Sequence, residues 1–198
     1  LEKSDAVVMG PGLGLHEETT KGVKDIVNLI EEVKVPLLLD ADGLKAFAGF
    51  KHRVDFPLVL TPHMGEYEIL TKSRPSGSVW DRSRHVQQAA GELNAVVLLK
   101  GDVDVISDGV RVKLNFTGNP GMTVGGTGDT LSGIVGAFLA QGFSPFRSAV
   151  AGAFINGAAG DFVAKEKGYH LLPTDIVKWI PRVIEDPMTH AKIKEYGL

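Results

Sequence analysis

Four short apolar runs, at 6–9, 36–39, 58–60 and 95–99, are each cut off by glycine or polar residues. The first ends in a cluster holding Gly10, Gly12 and Gly14, the second in Asp40-Ala41-Asp42, the third at Thr61-Pro62, and the fourth at Lys100-Gly101. Runs this short, with no polar face, are strands buried on both sides. Between the first two, Val23, Ile26, Val27, Ile30 and Val33 fall at helical spacing, and helical patterns follow at 65–71 and 80–93. Alternation of strands and helices predicts a largely parallel sheet in a three-layer α/β/α arrangement. Segments 103–107 and 110–114, joined by Asp108-Gly109, predict a hairpin with a two-residue turn, an antiparallel margin to that sheet. Gly- and Ala-rich helices are expected at 127–140 and 148–164, closely packed in the core, and an amphipathic one at 174–184.

A length of 198 residues suits one domain, here 1–198. The net charge of −3 and pI of about 6.1 give no electrostatic footprint for nucleic acid. No run reaches the ~20 apolar residues of a membrane helix, and no secretory signal opens the chain. With no cysteine, thiolate chemistry, disulfides and cysteine-ligated metals are excluded, which leaves the compartment open on that count. A cytoplasmic location is the expectation. Leu1 in place of methionine leads to the expectation that the chain was cut from a longer one. Glycine is the informative excess: 12 of the 24 lie between Gly118 and Gly168, where the backbone is expected to turn sharply or approach something closely.

In open α/β sheets ligands bind beyond the carboxyl ends of the strands. Gly10–Gly14, Asp40, Asp42, His63 with Glu66, and Lys100 all fall there. The densest signal is 119–129, from Asn119 through Gly125, Gly126 and Gly128 to Asp129, at the start of a helix. Bare amides at a helix start favour an anion such as phosphate. Asp129 reads either as a capping carboxylate or as the base that takes a proton from a hydroxyl attacking phosphorus. Lys100 reads either as a phosphate-neutralising cation or as a solvated strand-end lysine. A P-loop, a dinucleotide fingerprint, a nucleophile elbow and a paired-histidine zinc motif are all missing. His16, His52, His85, His170 and His190 read as surface or structural residues.

Taken in order, Gly10–Gly14, Asp40-Ala41-Asp42, Thr61-Pro62-His63-Met64-Gly65-Glu66, Lys100-Gly101, 119–129, Ala140-Gln141-Gly142 and Gly157-Ala158-Ala159-Gly160-Asp161 resemble ADP/ATP-dependent NAD(P)H-hydrate dehydratases. These belong to the ribokinase-like superfamily. The resemblance extends over nearly the whole chain and implies nucleotide-dependent dehydration of hydrated NAD(P)H back to NAD(P)H, through a phosphorylated hydrate. It implies Asp129 as the base, with Gly126 and Gly128 stabilising the transferring phosphoryl group. Gly12, Gly14, His63 and Asp129 would hold the hydrate. Lys100, Gly101, Asp102, Val103, Asp104, Asn119 and Gly128 would contact ADP or ATP, and Glu66 would help hold Mg²⁺ through water. A homo-oligomer, by family analogy a tetramer, and an upstream hydrate-epimerase domain are further implications.

Three departures accompany the resemblance. Met64 stands where the family usually has proline. Asp104 stands where threonine is usual, and a carboxylate there is expected to repel phosphate. Family members also carry further strands before the position of Leu1, so an N-terminally truncated domain of reduced activity is expected. Two competing readings are a ribokinase-like kinase of a vitamin-precursor alcohol (a thiazole or pyrimidine) and a nucleotide-binding scaffold without turnover.

Overall fold

The computed structural model describes every residue except 2, 49, 51, 52 and 195–198; the side chains of 192–194 are also outside the description. His52 therefore lies outside the described residues.

Among the described residues six strands form one sheet in chain order: β1 (Val7–Met9), β2 (Leu37–Leu39), β3 (Leu58–Leu60), β4 (Val96–Leu99), β5 (Asp104–Ser107) and β6 (Val112–Asn115). β1 to β4 run parallel, while β5 and β6 are antiparallel additions. The three-layer expectation holds because successive buried residues point to opposite faces. Leu37 and Leu39 pack with α1 (Glu17–Val33), α2 (Ala41–Phe47), α3 (Met64–Thr71) and α4 (Val79–Leu93). Leu38, Val59 and Leu98 pack on the other face with α5 (Thr127–Ala140) and α6 (Pro145–Lys167). Each such fully buried leucine contributes about 1.5–3 kcal/mol relative to an exposed one.

The Gly- and Ala-rich helices pack closely, as expected: a Cβ on Gly152 of α6 would overlap Val135 of α5. Outside them, Phe162 stacks on Trp179 of α7 (Pro173–Glu185), with ring centroids 4.7 Å apart. A short α8 (Thr189–Lys194) ends the description. Among the described residues no helix is long and apolar enough to cross a membrane.

After β2 the chain enters α2 directly at Ala41, whose backbone is left-handed with φ 47°. One local expectation needs correction. The hairpin turn has four residues, 108–111, since Ser107 pairs with Val112. Side chains widen it: Asp108 accepts from the amides of Val110 and Arg111, and Ser107 Oγ bridges the Gly109 amide and the Arg111 carbonyl.

Candidate active site

The carboxyl ends of β1 to β4 converge on the first turn of α5. Gly10 crosses the end of β2 so closely that a Cβ there would overlap the Asp40 carbonyl oxygen, and its φ of 141° also favours glycine. The loop continues through exposed Gly12 and Gly14, with open space where their side chains would be. The Gly14 amide donates to Asp42 at 3.0 Å. A hydrogen bond from Lys45 is the main cause holding the Asp42 carboxyl below the usual range.

At the end of β3, His63 forms an isolated parallel bridge with Lys100, and the Lys100 amide donates to the Pro62 carbonyl at 2.8 Å. His63 and Glu66 form a capping box at the start of α3. His63 Nδ1 accepts from the Gly65 and Glu66 amides, and Glu66 accepts from the His63 amide at 2.9 Å. This fixes His63 at the crevice edge with 60% of its side chain exposed. Glu66 is only 5% exposed, and its second oxygen lies 3.3 Å from His63 Nε2.

Lys100 is not a freely solvated strand-end lysine. Its ammonium donates to Asp40 at 2.8 Å, and the other Asp40 oxygen accepts from Ser132 Oγ at 2.8 Å. Asp40 is 2% exposed. Directly above, a Cβ on Gly128 would stand 3.3 Å from Lys100 Nζ and 3.6 Å from Asp40.

The N-cap of α5 is Gly126, in the left-handed region at φ 96° and pressed against Pro173, with no side-chain cap. Thr127 cannot supply one, because its hydroxyl donates to the carbonyls of Met122 and Val124. Asp129, in the first turn, is exposed and has no side-chain partner among the described residues. The capping reading of Asp129 is thus not realised.

The neighbouring segment divides into exposed and inward-facing parts. Gly101 and Asp102 are exposed and Val103 is half-buried. A hydrogen bond from Arg82 at 2.7 Å holds the Asp102 carboxyl low. Asp104 turns inward, accepting from the Gly101 amide and from Asn115. Burial pushes its carboxyl up against those hydrogen bonds, so it shapes the turn from within.

The Asn119 side chain is occupied as well. It accepts from the Gly121 amide and donates to Asp161 at 3.0 Å. Asp161 also accepts from the Gly118 amide at 3.0 Å and pairs with buried His190 at 2.7 Å. Burial pushes Asp161 up, but these hydrogen bonds outweigh it and hold the carboxyl below its usual range. A carboxyl lowered by folding stabilises above its unfolded-state pKa, and that contribution is lost as pH falls through the folded-state value. Asp161→Asn is expected to cost about 1–3 kcal/mol at neutral pH, with the gap to wild type closing in acid. Denaturant unfolding at both pH values measures it, and an unchanged gap in acid would assign the loss to shape rather than charge.

Sequence reasoning did not single out Ser132 or Arg82. Ser132 was detectable as the one polar residue a helical turn below Gly128, hence on the same face. A separate depression around Phe56, Pro57, Asn94 and Arg111 lies at the amino ends of β3 and β4, away from this crevice.

Comparison with known proteins shows the family and the fold. Residues 1–182 match the family described as NAD(P)H-hydrate dehydratase. A bifunctional NAD(P)H-hydrate repair enzyme of Pyrobaculum aerophilum is 46% identical over 183 residues, covering 92% of this chain and 36% of that protein. A ribokinase-like superfamily protein from Enterococcus faecalis superposes with a TM-score of 0.79 at 31% identity, over 93% of this chain and 64% of its own. The ADP/ATP-dependent NAD(P)H-hydrate dehydratase from Bacillus subtilis, co-crystallized with ATP/Mg²⁺, gives a TM-score of 0.80 at 28% identity, over 93% and 66%. The chain spans little more than a third of that curated relative and just under two thirds of each solved chain. Matched over residues 1–182 and built on a ribokinase-like sheet, the chain belongs to the NAD(P)H-hydrate dehydratase family.

Proposed function

We propose that this crevice dehydrates hydrated NAD(P)H to NAD(P)H, consuming the terminal phosphate of ADP or ATP. The observation that carries the reading is the uncapped start of α5, with exposed Asp129 in the same turn as Gly126 and Gly128. The family resemblance of the chain and the nucleotide dependence in its relatives' names support it.

The chemistry follows from those positions. Asp129 takes the proton of the hydrate hydroxyl, whose oxygen attacks the terminal phosphorus while the shortened nucleotide leaves. Amides at the start of α5 stabilise the transferring phosphoryl group. The carbon–oxygen bond then breaks, inorganic phosphate departs, and loss of a proton from the adjacent ring carbon restores the double bond. His63 and the Gly12–Gly14 loop hold the hydrate. Lys100, Gly101, Asp102, Val103, Gly128 and, from within, Asp104 and Asn119 form the nucleotide side.

Magnesium fits as an ion carried by the nucleotide. Among the described residues no cluster of three or more acidic or histidine side chains gathers to hold one, and magnesium commonly keeps its waters and sits on phosphates. The Glu66 carboxylate is engaged with His63, so it would help hold the ion through water.

The same proposal takes residues 1–198 as one catalytic domain in the cytoplasm, working as a homo-oligomer. A hydrate-epimerase domain is its expected companion in longer chains.

Incubation of hydrated NADH with ADP, Mg²⁺ and the protein tests the reading. Recovery of reduced-nicotinamide absorbance with release of inorganic phosphate is expected only when nucleotide is present. Stable phosphate esters formed from thiazole or pyrimidine alcohols would instead identify a kinase, and nucleotide binding without either product a scaffold.

A further inference from the structure

We propose that Asp40 is a positioning residue for the nucleotide site: its buried carboxylate holds the Lys100 ammonium against Gly128, so that the cation and the α5 amides converge on one phosphoryl group. The inference rests on the function proposed above.

Asp40 occupies the N-cap position of α2, yet its side chain makes no capping hydrogen bond. Aspartate is among the best residues for that task, and here it is diverted to Lys100 and Ser132, one oxygen to each. The backbone on either side is unusual as well. Ala41 is held at φ 47°, a strained conformation for a residue with a side chain, and Gly10 lies against the Asp40 carbonyl. A buried ion pair is weak evidence for a stabilising role, since apolar replacements of similar volume often serve as well.

The placement of Lys100 points the same way. A cation at the start of a helix opposes the helix dipole unless negative charge is shared there. Asp40 supplies one such charge from beneath, and 22% of the Lys100 side chain stays open to the crevice for another. A side chain at residue 128 would crowd the Lys100 ammonium and come into contact with Asp40.

Steady-state kinetics and ADP calorimetry on wild type, Asp40→Asn, Lys100→Met and the double variant test the proposal. Asp40→Asn is expected to raise the nucleotide KM and Kd by about tenfold or more, as for loss of a charge-assisted contact, with a smaller change in kcat. On the Lys100→Met background Asp40→Asn adds no further loss. The double variant leaves no buried charge unpaired, so its melting temperature is expected above that of Lys100→Met; it keeps the test open if the single variants fold poorly. A lowered melting temperature with unchanged nucleotide KM and Kd would overturn the proposal. So would an equal penalty from Asp40→Asn with and without Lys100. If wild type recovers no NADH, the functional reading fails, while calorimetry on the same four proteins still decides the role of Asp40.

Discussion

Asp129→Asn is expected to bind ADP as wild type does and to lose turnover by ~10²–10⁴-fold, the usual contribution of a positioned general base. That loss corresponds to roughly 3–5 kcal/mol in the barrier. Binding survives because the exposed Asp129 carboxylate supports no other described side chain, and the start of α5 does not rely on it as a cap. Unlike Asp40, Asp129 holds no cation in place, so removing its charge takes away repulsion of the incoming phosphates without displacing a group that binds them. Calorimetry and absorbance recovery separate the two effects. Normal turnover by the variant would remove Asp129 from the mechanism; weakened ADP binding would make it a structural residue.

Gly10→Ala should be the most damaging small substitution in the crevice. The added methyl overlaps the Asp40 carbonyl oxygen, and φ 141° is closed to alanine. The Asp40 carbonyl also accepts from the Gly43 amide at 3.0 Å, while a Cβ on Gly43 would come within 2.8 Å of the Met9 carbonyl oxygen. Neither side of this crossing can yield. A cost of about 3 kcal/mol or more is expected from overlap plus strain, a drop of roughly 6–12 °C in melting temperature for a domain of this size. Gly12→Ala is the control: its φ of 71° carries the left-handed penalty of about 1–2 kcal/mol, but its Cβ meets open space. Equal melting temperatures for the two variants would show that close approach to Asp40 contributes little.

The parallel strands and the start of α5 are legible in the sequence because they rest on local signals. Leu37–Leu39 has no polar face and α5 starts where the glycine run ends, so burial and backbone freedom can be read residue by residue. The hairpin turn misleads because Asp108-Gly109 suits a two-residue loop in isolation, whereas the side chains of Ser107 and Asp108 close a wider one. Site chemistry is harder to read when partners are far apart in the chain. Asp40, Lys100 and Ser132 are separated by 60 and 92 residues from Asp40 and meet only through the sheet order. Asn119 and Asp161 are 42 residues apart and likewise meet through tertiary packing. The repulsion expected of Asp104 assumed a side chain facing phosphate, and the strand carries it inward to Gly101 and Asn115 instead.

The fate of the hydrate oxygen tests the central claim most directly. If the amides at the start of α5 receive a phosphoryl group while Asp129 frees the hydroxyl oxygen to attack it, that oxygen leaves bonded to phosphorus. Hydrated NADH carrying heavy oxygen in its hydroxyl group, turned over with ADP and Mg²⁺, should deliver the label to inorganic phosphate. Label found in water alone, with phosphate unlabelled, would contradict phosphoryl transfer to the hydrate.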